Sequence, residues 1–213
     1  MSELNKLVVI NNLTNQDFLK TYSLAGRVGL VGASHFFDVG IKRAQRAVNP
    51  NKLDSQWSHA FLLQGTRLDN QQWLMESDVD IAGRNVRFGV QENRIDKYFD
   101  EKTYPIIAIL DFKLTQEQVE TIIKAGLDLI AQQWKYSLRE LLGTLVALPS
   151  RRLRRRPNLF QKDRSLYCSA FVQHLYHKIN YDFAPDTHEK NTAPEHIFQA
   201  VIPHTTYLLK RDL

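Results

Sequence analysis

The chain has 213 residues, 43% hydrophobic and 24% charged, which is enough apolar sequence to bury a sizeable core and too much for a disordered chain. Its formal charge of +5 resides in one segment: RRLRRR at 151–156 holds five arginines, and the other 23 Lys and Arg match 23 Asp and Glu, so the fold as a whole is not built around nucleic acid. A lone cysteine, Cys168, excludes an internal disulfide and a multi-cysteine zinc site, and no apolar run reaches the length of a membrane span.

At the N-terminus the apolar stretch runs only from Leu7 to Ile10, too short for a signal peptide. The expectation is a protein that is cytoplasmic as synthesised, with any export by a signal-independent system. LVVI reads as a short strand, and NLTNQDFLKTY as a helix capped by Thr14 or Asn15. RVGLVGASHFF fits a buried strand and a turn that contains His35, and GIKRAQRAV a short basic helix ending before Asn49 and Pro50. In WSHAFLLQGTRLDNQQWLMESDVDI, two apolar runs flank a polar turn at Leu68 to Gln71. That is the pattern of an antiparallel hairpin, with His59 near the start of one strand and Glu76 near the end of the other, so that the two meet across the strands.

NVRFGV and YPIIAILDF are strand-like, and TQEQVETIIKAGLDLIAQQW predicts a long helix with a Thr115–Gln118 capping box. KYSLRELLGTLVALPS continues to Pro149 and is followed by a basic loop at 150–160. SLYCSAFVQHLY then opens a helix at Cys168, with Phe171, Val172, Leu175 and Tyr176 on one apolar face. NTAPEHIFQAV reads as a short helix begun by Thr192 and Pro194, and TTYLLKR as a last strand.

A thiol in the first turn of a helix feels the partial positive charge of the helix end, which favours thiolate. A nucleophile there needs a base within reach and a group to orient that base. His59 is the best placed base and Glu76 its orienting carboxylate, while the Cys168 N–H could donate to an oxyanion. On periodicity alone, however, Cys168 reads as a small buried side chain, His59 as a core histidine and Glu76 as surface charge. His174 and His177, three apart on one helix with His188 further on, are weak as a metal set, and no metal or cofactor is expected. The arginines Arg151, Arg152, Arg154, Arg155 and Arg156 suit an anionic surface, or else form a solvated loop.

WSHAFLL with His59, WLMES with Glu76, KYSLRELLG with Tyr136, LYCSAFVQHLY with Cys168, and APEHIFQA occur in an order that resembles the circularly permuted, YiiX-like branch of the NlpC-type papain-like cysteine hydrolases. The resemblance runs from about Gly26 to Val201 and implies one α+β domain over 1–213, with an antiparallel sheet of five or six strands packed against helices. It implies Cys168 as nucleophile, His59 as general base and then acid, Glu76 as the residue orienting His59, and Tyr136 as a substrate-binding residue near the active centre. Ala170, Lys135, Ser137 and the Arg27–Val28 pair depart from the family pattern, at positions where it has glutamate, proline, aspartate and Gly-Asp.

The expected activity is a cysteine peptidase or amidase acting on peptidoglycan stem peptides. Without a signal peptide, such an enzyme suggests an antibacterial effector or toxin with an immunity protein or secretion machinery as partner. The alternatives are a lipid-directed thiol acyltransferase or phospholipase, similar to the lecithin:retinol acyltransferase type, and a non-catalytic papain-like binding module. No specific nucleic-acid partner is expected.

Overall fold

The structure, a computed structural model, describes residues 5–33, 36–80, 87–135, 138–158 and 164–211. Among these, seven strands form one sheet: β1 (Asn5–Ile10), β2 (Val28–Gly32), β3 (His59–Thr66), β4 (Gln72–Asp80), β5 (Arg87–Arg94), β6 (Ile106–Asp111) and β7 (His204–Lys210), in spatial order β1-β7-β6-β2-β3-β4-β5. The helices are α1 (Asn15–Tyr22), α2 (Phe36–Ala44), α3 (Gln116–Ala131), α4 (Leu138–Ala147), α5 (Arg151–Arg154), α6 (Cys168–His177) and α7 (Pro194–Phe198).

The predicted hairpin is present, with β3 and β4 antiparallel and Leu62 opposite Met75. Thr14 caps α1 by accepting from the Asp17 N–H, and Thr115 with Gln118 closes the capping box of α3. Two expectations are corrected. The sheet is mixed rather than antiparallel and has more than five or six strands, because β1 lies parallel to β7 at one edge, Val8 opposite Tyr207. That pair joins the two ends of the chain, so no turn signature announces it. The arginine run, expected as a loop, begins as the single helical turn α5, with the Ser150 hydroxyl accepting from the Leu153 N–H.

Central strands are buried on both faces, which explains their continuous apolar runs. On one face Leu30, Ala60, Leu62, Met75 and Leu110 pack against Ile122 and Leu129 of α3 and Phe171, Val172, Leu175 and Tyr176 of α6. On the other, Val31, Phe61, Leu63, Leu74, Ile107 and Ile109 pack against Phe18 and Leu19 of α1 and against Ile95 and Tyr98, in the 3-10 turn Ile95–Tyr98 that follows β5. Gly29, opposite Phe61 in the sheet, leaves room for the Phe61 ring; a Cβ there would stand 2.0 Å from it. Phe61 in turn stacks on Tyr98 at 4.7 Å between ring centroids. This second face supports the functional site from below.

Candidate active site

Glu76 lies on β4 with its side chain fully buried, and four donors share its two oxygens. Oε2 pairs with His59 Nε2 at 2.7 Å and accepts from Tyr98 Oη at 2.5 Å. Oε1 accepts from Asn93 Nδ2 and from Lys97 Nζ, both at 2.6 Å. Lys97 also reaches Asp78 Oδ2 at 2.5 Å, two residues along β4. A buried carboxylate survives only when its lone pairs are satisfied and its charge is opposed, and this one has both. Burial pushes Glu76 up, but the Lys97 ammonium and then His59 outweigh it and hold the carboxyl well below the usual range. By the same pairing, Lys97 is held well above the ordinary lysine range despite burial.

His59 is the first residue of β3, and its side chain is only 14% exposed. Burial disfavours the imidazolium. The charges of Cys168 and Asp78 and hydrogen bonds with Cys168 and Glu76 more than compensate, so its pKa lies well above the ordinary histidine value. His59 therefore bonds to the Glu76 carboxylate and is electrostatically coupled to Cys168.

Cys168 opens α6 and is 4% exposed. Its neighbours are fixed from two sides. Tyr167 Oη and Ser169 Oγ both donate to the Thr192 carbonyl, at 2.5 and 2.7 Å, and Ser77, next to Glu76 on β4, donates to the Leu166 carbonyl just before α6. The residue after the carboxylate thus holds the turn that delivers the thiol. Tyr167 is the N-cap in extended conformation, and no side chain caps this end.

His59, Glu76 and Asp78 also bring a nitrogen and two carboxylate oxygens within 4.8 Å, a donor set that a divalent cation could use. The cluster does not fit a resident metal. The Lys97 ammonium already stands between the two carboxylates, and the imidazole nitrogen is engaged with Glu76.

A narrow crevice adjoins Cys168, with room of about 10 Å³, roughly one water. Its walls include Leu141, Leu145 and Leu148 of the α4 region, Ile41 of α2 and Pro194 of α7, together with Gln45, Thr144 and Ser169, and among the described residues no charged side chain lines it. Further along α6, His174 and His177 each place Nδ1 2.9 Å from one oxygen of Glu189, so these imidazoles hold a carboxylate, while His188 Nδ1 accepts from the Lys190 N–H.

Tyr136 and Ser137, like His35, lie outside the described residues. Sequence reasoning missed Asp78, Asn93, Lys97 and Tyr98. A signal existed for the first: Asp78 follows Glu76 by two and so shares its strand face. Asn93 required the strand NVRFGV to be extended to Arg94, which places Gln91 opposite Glu76.

No protein-family model and no curated protein matches the chain. The fold is similar to that in the crystal structure of metalloprotein yiiX from Escherichia coli O157:H7, DUF1105, with a TM-score of 0.55 at 12% identity over 87% of this chain and 96% of that one. The likeness is one of fold, a mixed sheet flanked by helices. Among the described residues, no helix is long and apolar enough to cross a membrane.

Proposed function

We propose that this chain is a papain-like cysteine hydrolase, permuted so that the histidine and its carboxylate precede the nucleophile. One observation carries the reading: a fully buried Glu76, held ionised, bonds at 2.7 Å to a histidine that in turn engages the thiol at the start of α6. In the first step the Cys168 sulfur attacks a carbonyl carbon, and His59 passes its proton to the leaving amine or alcohol, giving a thioester. In the second, His59 takes a proton from water, the resulting hydroxyl attacks the thioester, and the carboxylic acid departs as the proton returns to sulfur. Glu76 fixes the imidazole orientation and stabilises its cation, and the uncapped N–H groups at Cys168 face the developing oxyanion. A non-catalytic binding module would have no use for so costly a buried charge cluster.

The family resemblance favours a peptide amide of peptidoglycan as the bond cut, with the protein delivered as an antibacterial effector countered by an immunity protein. Leu141, Leu145 and Leu148 on one wall of the crevice beside Cys168, which also carries Gln45, Thr144 and Ser169, suggest a second substrate, an acyl ester or amide of a lipid. The word metalloprotein attached to yiiX is not carried over, because Lys97 takes the cation's place here. Purified protein and Cys168→Ala would be incubated with muropeptides and with phospholipid vesicles, and products resolved by mass. New peptide fragments or released fatty acid that vanish in Cys168→Ala are expected; intact substrates in both sets would end the hydrolase reading.

A further inference from the structure

The α4–α5 segment forms one wall of the Cys168 crevice and presents a different surface outward. Leu141, Leu145 and Leu148 turn toward the thiol. Leu142 and Val146, one helical turn apart, point to solvent with 57% and 55% of their surface exposed. Pro149 is exposed beside them, and Arg151, Arg152, Arg155 and Arg156 follow, all exposed. Arg155 meets Asp186 at 2.5 Å, whereas among the described residues no carboxylate lies within ion-pair distance of Arg151, Arg152 or Arg156.

This segment is also held in place. The Asn191 side chain donates to the carbonyls of Arg154 and Arg156 at 3.1 and 3.0 Å, Arg154 donates to the Leu148 carbonyl, and the His188 N–H donates to the Arg154 carbonyl. Three guanidiniums with no carboxylate partner among the described residues, next to aliphatic side chains on one short amphipathic element, match an interfacial surface. Its apolar residues enter the acyl boundary, and its cations meet lipid phosphates. A soluble polyanion would satisfy the arginines and leave Leu142 and Val146 in water.

We infer that α4–α5 is a peripheral docking face for an anionic phospholipid bilayer, which sets the crevice wall against the membrane. The docking does not depend on the hydrolase reading, so it is tested on the full chain carrying Cys168→Ala. Partition is measured by co-sedimentation with vesicles of phosphatidylcholine alone and of phosphatidylcholine mixed with phosphatidylglycerol. Binding only to the anionic vesicles, reversed by high salt, is expected. Arg151→Gln with Arg152→Gln and Arg156→Gln should weaken it on the order of a hundredfold, at roughly fivefold per arginine. Leu142→Ser with Val146→Ser should weaken it as well, at unchanged charge and with an unchanged thermal melt. Equal binding to neutral vesicles, or no binding, overturns the proposal. So does binding that the Leu142 and Val146 changes leave intact, which would assign the arginines to a soluble polyanion.

Discussion

Lys97→Met tests whether the lysine is the fixed cation of the site. The methionine keeps the aliphatic stem and removes an ammonium 2.6 Å from Glu76 Oε1 and 2.5 Å from Asp78 Oδ2. Removing one partner of a buried ion pair costs about 3–5 kcal/mol, because the other charge stays buried. Lys97 is 24% exposed and Glu76 keeps three other donors, which places this case near the lower end, at about 3 kcal/mol. The sign with pH follows from the depressed Glu76 carboxyl. Its stabilisation is present above the unfolded value of 4.5 and is lost as pH falls through the lower folded value. In Lys97→Met the folded value rises, and because the unfolded value is common to both proteins the gap between wild type and variant is widest at neutral pH and narrows as pH falls through the variant's raised folded value. Urea denaturation at pH 7 and pH 4 measures both gaps. Glu76→Gln in the same background should recover part of the loss, since the uncompensated charge is gone. A gap under about 1 kcal/mol at pH 7, or one that widens at pH 4, would refute the view that Lys97 neutralises Glu76.

Three other outcomes follow from the same geometry. In Cys168→Ala the His59 imidazole should titrate at lower pH than in wild type, since it loses the charge and hydrogen bond of the thiol; histidine NMR reports it, and an unmoved titration would separate the two residues. Gly29→Ala should destabilise by about 1–3 kcal/mol in chemical denaturation, because its Cβ displaces the Phe61 ring, and should lower activity in excess of the folded fraction lost, through Tyr98 and Glu76; a neutral result would mean that Phe61 moves freely. His196 accepts from the Ala193 N–H, and burial, then Arg154, lower its pKa from 6.5 to about 4. Stability should therefore fall by up to about 3 kcal/mol as the pH drops from 6.5 to 4, and His196→Gln should flatten that slope in thermal melts.

The parts of the fold that were legible in the sequence are those written in local chemistry. The capping box of α3, the Thr14 cap and the polar turn between β3 and β4 each occupy a few adjacent residues, and each lies where it was read. The hairpin that carries His59 and Glu76, and the helix start at Cys168, are legible in the same way, whereas local pattern alone leaves the three residues as ordinary buried or surface positions and only the family resemblance relates them. The parallel pairing of β1 with β7 was not legible, since Asn5 and His204 meet only after the whole sheet has been laid down. The single helical turn in the arginine run was hidden for another reason. Ser150, Asn191 and His188 hold it, and the last two approach from a segment distant in sequence.

Lys97 shows why the chemistry of the site was only half visible. In sequence it is one lysine of an ordinary charged stretch, NRIDKYF, and nothing in its spacing relates it to a carboxylate 21 positions earlier. What relates them is the register of β5 on β4, which sets Gln91 opposite Glu76, and the 3-10 turn that folds Lys97 and Tyr98 back under the strands. Asn93, Lys97 and Tyr98 then converge on one carboxylate from a segment of six residues. This convergence changes the role of Glu76. A solitary buried glutamate facing a histidine would be driven toward its neutral acid and could not stabilise an imidazolium. With Lys97 shared between Glu76 and Asp78, the two carboxylates face two cations, Lys97 and protonated His59, and the charges balance without a metal ion. The buried carboxylate beside His59 is thus a property of the β4–β5 ladder as a whole, and its charge depends on a lysine that only the strand register and the following turn bring to it.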